Sequence, residues 1–250
     1  PPRSTLFPYT TLFRSLNSPS NPTGATYSRD ELEKLAAVLE KRDIAIISDD
    51  IYESIVYDGR TFTNTANLSD GLFKKTIVLN GVSKAYSMTG WRIGYMAGDA
   101  EVIKKVEILQ SQSTSNPTSI SQWASVDALT GDQSVITAMV EAFDRRRRLI
   151  VDGLNSAPGV SCLMPEGAFY AFPNIRGVEK LKGWKAVKEK YEGSSISSAL
   201  TSYLLEVAQV AVVPGVEFGN DDNIRLSFAT SDENIEKGVE RIKAALEKLA

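Results

Sequence analysis

The sequence has no histidine and one cysteine, Cys162, in 250 residues. Without histidine, neither a Ser-His-Asp nor a Cys-His catalytic set can be assembled, and the common zinc sites are excluded. No metal ligand set is expected. One cysteine rules out a disulfide within the chain and fits a reducing, cytoplasmic setting. In 160-VSCLM-164 it reads as a small buried hydrophobe, not as a nucleophile. No apolar run approaches the roughly 20 residues of a membrane helix. A dominant charge sign is also missing, because the net charge of −3 is spread over interspersed residues of both signs. The one basic run, 145-RRRR-148, is flanked by Glu141, Asp144 and Asp152. It reads as a solvated helix face, and no nucleic-acid or membrane partner is expected. Acid-base chemistry must fall to Lys, Asp, Glu or Tyr.

What is present is an ordinary globular composition, 42% hydrophobic and 24% charged, long enough for one large or two modest domains. The opening PPRSTLFPYTTLFRS has a near mirror, RSTLF then TLFRS, and none of the ordered parts of a signal peptide. Residues 1–15 are therefore expected to be non-native, resembling translated adapter read-through. On that expectation the natural sequence begins near Leu16 and the chain is a truncated reading frame.

From Ser28 a helix is well signalled. Ser28 and Glu31 have capping-box spacing, and Leu32, Leu35, Ala36 and Leu39 recur at helical period. The β-branched run 44-IAIIS-48 has the pattern of a buried parallel strand, 76-TIVLN-80 repeats it, and 93-IGYMA-97 is a third candidate. Helices are expected over about 100–111, 118–130 and 132–156. After Pro158-Gly159, short strands are expected at 160–164, 168–172, 210–213 and 224–229. Helices should follow at about 195–208 and 232–249, the last with Thr230 and Glu233 at capping-box spacing. Strand-helix alternation followed by a mixed segment predicts an α/β domain over 16–143 and a smaller α+β domain over 144–250. Trp91, Trp123 and Trp184 are expected to be packing residues.

In open parallel sheets, ligands sit beyond the carboxyl ends of strands. Asp49 and Asp50 close 44-IAIIS-48 there, with Tyr52 just beyond, and Lys84 follows 76-TIVLN-80 among small uncharged neighbours. Asn21 lies in the turn-forming 21-NPTG-24. Singly, each has a plain structural explanation: a turn, a solvated loop, a surface lysine.

Their order and spacing together resemble the class I/II aminotransferases, pyridoxal-phosphate enzymes of fold type I. The matching residues are 21-NPTG-24, 49-DDIY-52, 83-SK-84 and 90-GWRIG-94, followed by 167-GAFY-170 and 225-RLSFATS-231. The resemblance runs from about Asn17 to the C-terminus. It implies an incomplete large domain with a mostly parallel sheet, a C-terminal α+β small domain, and pyridoxal 5'-phosphate as cofactor. It also implies Lys84 as the catalytic Schiff-base lysine and proton shuttle, and Asp49 as the carboxylate that keeps the pyridine nitrogen protonated. Tyr52 and Asn21 match the partners of the cofactor's phenolic oxygen, and Arg92 matches the bidentate phosphate ligand. Arg225, with Asn21, matches the grip on the substrate α-carboxylate. Many family members have a phosphate-binding serine three residues before the lysine; Gly81 stands there, and Ser83 is the substitute candidate.

The function implied is transfer of an amino group between an amino acid and a 2-oxo acid. Aspartate with 2-oxoglutarate leads, since 80-NGVSKAYSMTGWRIGY-95, 111-SQSTS-115 and 122-QWA-124 look bacterial aspartate-aminotransferase-like. A prephenate-type or aromatic acceptor comes next. A β-elimination or C–S lyase on the same scaffold, and an inactive or cofactor-sensing domain, stay open. The family's N-terminal part is missing from these residues. The resemblance implies a homodimer for the full-length protein, and these 250 residues alone are expected to be poorly soluble and inactive.

Overall fold

The computed structural model describes residues 13–191 and 194–250. Of the segment expected to be foreign, residues 1–12 lie outside the described residues, and residues 13–15 open the first strand. The chain divides into two compact units. One comprises the residues up to Pro19 with Thr26–Ala138, and the other comprises Ser20–Ala25 with Met139–Ala250.

In the first unit, β1 (Phe13–Asn17), β2 (Ala45–Asp49), β3 (Thr76–Gly81) and β4 (Gly94–Ala97) form one sheet in that order. β1, β2 and β3 run parallel, in register through Asn17, Asp49 and Leu79. β1 carries no clear sequence signal, so it went unassigned. α1 (Arg29–Leu39) begins as its capping box requires, with Ser28 accepting from Glu31 N and Glu31 reaching back to the Ser28 backbone. α2 (Asp70–Lys75) leads into β3. Leu39 and Ala36 of α1, Leu72 of α2 and Ile46 of β2 are buried together, with Leu16, Leu35, Ile44 and Leu68 packed against them. This cluster fixes one face of the sheet and therefore which strand residues point away from it.

β4 differs from expectation. It pairs antiparallel with β3, with Gly81 opposite Gly94, and its side chains are mostly exposed. The connection consists of α3 (Val82–Ala85) and a 3-10 turn at Thr89–Trp91, which return the chain to the edge where β3 ends. α4 (Ala100–Ser113), α5 (Ser119–Thr130) and α6 (Ser134–Asn155) follow, within a few residues of the expected bounds. Trp184 is 5% exposed, whereas Trp91 and Trp123 are 43% and 72% exposed and are not packing residues here.

In the second unit, β5 (Tyr170–Ala171), β6 (Val213–Pro214) and β7 (Ile224–Ser227) form an antiparallel sheet ordered β5-β7-β6. α7 (Trp184–Lys190), α8 (Ile196–Tyr203) and α9 (Asp232–Glu247) complete it, with a π-helical turn at Leu204–Ala208 after α8. Residues 160–164 make no strand beyond a single bridge from Ser161 to Asn174. The Asn155 side chain takes both backbone groups of Cys162, accepting from its N at 2.7 Å and donating to its O at 3.0 Å. A side chain thus replaces the ladder. The cap of α9 is Ser231, which accepts from Asn234 N, and not Thr230, whose hydroxyl accepts from the Asn234 side chain instead.

The basic run is also not a uniformly solvated face. Arg145 and Arg146 both bond Asp232 on the first turn of α9, while Arg148 pairs with Asp144. Arg147 is completely buried. Cys162 is buried as expected, and burial pushes its thiol up to about 11, which keeps it unreactive. Among the described residues, no helix is long and apolar enough to cross a membrane.

Candidate active site

The topology gathers four chain segments at one edge of the first sheet. β1, β2 and β3 end there, and β4, running the other way, begins there. Asp49 is the last residue of β2, and its backbone oxygen accepts from Asn17 Nδ2 at 3.2 Å, which ties the ends of β1 and β2. Alternation along β2 places Ile46 and Ser48 on the buried face and leaves Asp49 half-buried on the other. Its Oδ1 lies 3.4 Å from Ile51 N in the turn that carries Tyr52, which is 4% exposed.

Lys84 sits on α3, directly beyond β3, and its Nζ lies 5.8 Å from the centre of the Tyr52 ring. Lys84 and the neighbouring Ser83 are both half-buried. Gly81 is fixed by space: a Cβ there would meet Ile93 O at 2.8 Å and Gly94 Cα at 3.1 Å. A side chain at this position has no room against Ile93 and Gly94 in this structure.

Arg92 begins the return into β4 with a left-handed backbone, φ +56°, and donates to Thr89 O at 2.9 Å. A non-glycine residue held there costs about 1–3 kcal/mol and persists where its surroundings over-determine it. With Thr114, Asn116, Thr118 and Ser121, Arg92 lines a pocket of about 410 Å³. The segment from Thr114 to Ser121 therefore runs beside the candidate phosphate ligand.

Asp50 is the group that sequence reading passed over. It is 2% exposed, and both its oxygens are engaged, Oδ1 by the Ser48 hydroxyl at 2.6 Å and Oδ2 by the Asn64 side-chain amide. Burial pushes its carboxyl up to about 6, with smaller upward contributions from Glu53 and Asp49, against the lowering by Ser48 and Asn64. Because this folded value lies above the ordinary 3.8, the contribution of Asp50 to stability is full below pH 3.8 and is lost as pH rises through about 6. Asp50→Asn should therefore flatten the pH dependence of the thermal midpoint between pH 4 and 7, gaining most on wild type at the upper end. Parallel pH profiles for the two proteins would show that Asp50 carries no such penalty.

In the second unit, Asn21 and Arg225, separated by 204 positions, meet directly: Arg225 Nη1 donates to Asn21 Oδ1 at 2.8 Å. The Arg225 guanidinium lies 4.8 Å from the Tyr170 ring centre and 4.9 Å from that of Phe218. Tyr170 is reached through β5, which pairs with β7 where Arg225 resides. The motif 167-GAFY-170 was legible in sequence; Phe218 was not, since nothing local marks it. The backbone of 20–25 closes on itself through Gly24 N to Ser20 O at 2.8 Å and Ser20 N to Ala25 O at 2.9 Å, and the Asn21–Pro22 peptide is cis.

Chemically, the first unit offers at one edge an amine, a half-buried carboxylate, a phenol and a guanidinium. The second unit offers a guanidinium within 5 Å of two aromatic ring centres, bonded to an amide oxygen.

Against known proteins, residues 15–242 match the model of the family described as aminotransferase class I and II. The chain is 49% identical over 233 residues to the aspartate/prephenate aminotransferase of Nitrosomonas europaea, covering 92% of this chain and 57% of that protein. It is 46% identical over 233 residues to the aspartate aminotransferase of Bacillus subtilis, covering 93% and 57%. The crystal structure of the aspartate aminotransferase from Rhizobium meliloti superposes with a TM-score of 0.89 at 45% identity, covering 98% of this chain and 60% of that one. The chain thus spans somewhat over half the length of the relatives it matches.

Proposed function

This chain belongs to the class I and II aminotransferases, and we propose that it holds pyridoxal 5'-phosphate and serves transfer of an amino group from an amino acid to a 2-oxo acid. The observation that carries the reading is the gathering of Asp49, Tyr52, Lys84 and Arg92 at one sheet edge. The donor set fits the cofactor group by group. An amine suits an aldehyde, a carboxylate suits a pyridinium, a phenol suits a phenolate oxygen, and a guanidinium suits a phosphate.

When bound, the cofactor supplies an aldehyde that condenses with amines and a ring that accepts the electron pair left when a substrate α-hydrogen departs. Lys84 would hold the cofactor through its amine and would carry a proton to and from the substrate α-carbon. Asp49 would favour the protonated ring nitrogen through its negative charge. Tyr52 would donate to the phenolic oxygen, and Arg92 would anchor the phosphate with a permanent charge. In Gly81's place no side chain fits, so a hydroxyl contribution to the phosphate falls to Ser83. Arg225 grips the substrate carboxylate, with Asn21 orienting its fork.

The substrate pair we assign is aspartate with 2-oxoglutarate. The names of the Nitrosomonas and Bacillus relatives support the donor, and the first leaves prephenate as a further acceptor. The test supplies the full-length protein with pyridoxal phosphate, aspartate and 2-oxoglutarate and follows glutamate and oxaloacetate. Their formation in equal amounts is expected. Pyruvate and ammonia released from a β-substituted amino acid, without glutamate, would replace this reading with a lyase.

A further inference from the structure

The least explained charged group in the molecule is Arg147, which has 0% exposure inside α6. Its guanidinium donates from Nη1 to Pro165 O at 2.7 Å and pairs through Nη2 with Asp144 Oδ1 at 2.5 Å. A buried ion pair is weak support for stability, because desolvation offsets much of the attraction. What the guanidinium supplies is direction. It holds the carbonyl of Pro165, and the two residues that follow turn their backbone N–H groups onto one acceptor: Glu166 N and Gly167 N both donate to Gly24 O at 2.8 Å.

The fit there is close. A Cβ on Gly24 would lie 2.5 Å from Pro165 Cβ and 3.0 Å from Gly167 O, and Gly24 has φ +67°, so only glycine seats against this turn. Gly24 closes the short loop from Ser20, and Asn21 lies inside that loop with its Oδ1 on Arg225. A second route leaves the same helix one turn earlier. The Phe143 ring packs on Phe169 at 5.5 Å, Phe169 on Tyr170 at 4.8 Å, and Tyr170 under Arg225 at 4.8 Å. α6 therefore reaches the amide and the guanidinium of this pair by separate paths.

We infer that Arg147 is a positioning residue for the carboxylate grip: by fixing Pro165 it sets the 21–24 turn and with it the alignment of Asn21 on Arg225. That these two residues receive a carboxylate rests on the function proposed above; that Arg147 aligns them does not.

The experiment separates the two. In the ligand-free full-length protein, the side-chain amide resonances of Asn21, assigned by their loss in Asn21→Ser, are followed by 15N NMR. Arg147→Lys keeps a cation for Asp144 but not the fork that also reaches Pro165, and it should shift these resonances. Leu154→Ala removes a side chain that is 1% exposed on the same helix, and it should lower the thermal midpoint while leaving them in place. Should Arg147→Lys fail to fold, Asp144→Asn loosens the same guanidinium from its more exposed side and should give a smaller shift. Unmoved Asn21 resonances in the folded variant, or an equal shift in Leu154→Ala, overturn the inference.

With pyridoxal phosphate present, affinity for maleate, a four-carbon dicarboxylate, should fall about tenfold in Arg147→Lys and stay unchanged in Leu154→Ala. Shifted resonances with no maleate binding even in wild type would leave the positioning role standing and remove the proposed function instead. Shifted resonances with undiminished maleate affinity would overturn the link between alignment and grip.

Discussion

In the full-length protein, Lys84→Ala should abolish the visible absorbance that pyridoxal phosphate acquires on a lysine amine, and borohydride should no longer fix the cofactor to the protein. Among the described residues, no other lysine meets the requirements. Lys84 is half-buried beyond the end of β3, 5.8 Å from the ring of buried Tyr52, and on the sheet edge that Asp49 closes. The amine is asked to do two things, to bind the aldehyde carbon covalently and to move a proton at the substrate α-carbon. Losing the proton transfer alone costs on the order of 10²–10⁴ in rate, and losing the covalent hold adds to it. Transamination should therefore fall by more than about 10²-fold. Lys84→Arg separates charge from nucleophile, because guanidinium stays protonated and cannot condense. It should retain some cofactor by electrostatics, removable by dialysis, and show no fixation. A visible band that survives dialysis and borohydride in Lys84→Ala would move the lysine assignment elsewhere.

How much of this was legible depends on what kind of signal each residue carries. Lys84, Asp49 and Arg92 could be located from sequence because strand ends are marked by β-branched runs, and groups just past them lie on a predictable edge. The register then brings them together without further information. Asn17 was invisible because β1 is a strand by virtue of its neighbour β2 and has no strong pattern of its own. Asp50 was read only as half of an acidic pair. That it faces inward with Ser48 follows from strand alternation, but its second partner, Asn64, sits 14 positions away in a loop. Arg147 shows the limit most clearly. Four consecutive arginines on a helix cannot share one environment, yet which of them is buried depends on where Pro165 and Asp232 arrive. The same holds for residues 160–164, where a strand-like run lost its ladder to one asparagine side chain.

Replacement of Arg225 should have the next largest effect, confined to substrate. A guanidinium has five N–H groups in a fixed fork, and Asn21 engages Nη1 at 2.8 Å, so the rest of the fork is directed by that bond. Tyr170 and Phe218 have ring centres 4.8 Å and 4.9 Å from the guanidinium carbon, each worth roughly 0.5–1 kcal/mol at such contacts. Orientation is thus prepared before any carboxylate arrives, which lowers the ordering cost of binding. Two charge-assisted hydrogen bonds of about 1.5–3 kcal/mol each are at stake, less the desolvation of both partners. Arg225→Leu should weaken maleate binding about 10²-fold, near 2.7 kcal/mol, and Arg225→Lys should fall between, keeping the charge but not the fork. Borohydride fixation of the cofactor at Lys84 should be unchanged in both variants. That contrast distinguishes a substrate ligand from a residue that merely supports the fold. If Arg225→Leu bound maleate as tightly as wild type, the carboxylate would have to be held elsewhere, and the aromatic pair around Arg225 would be packing alone.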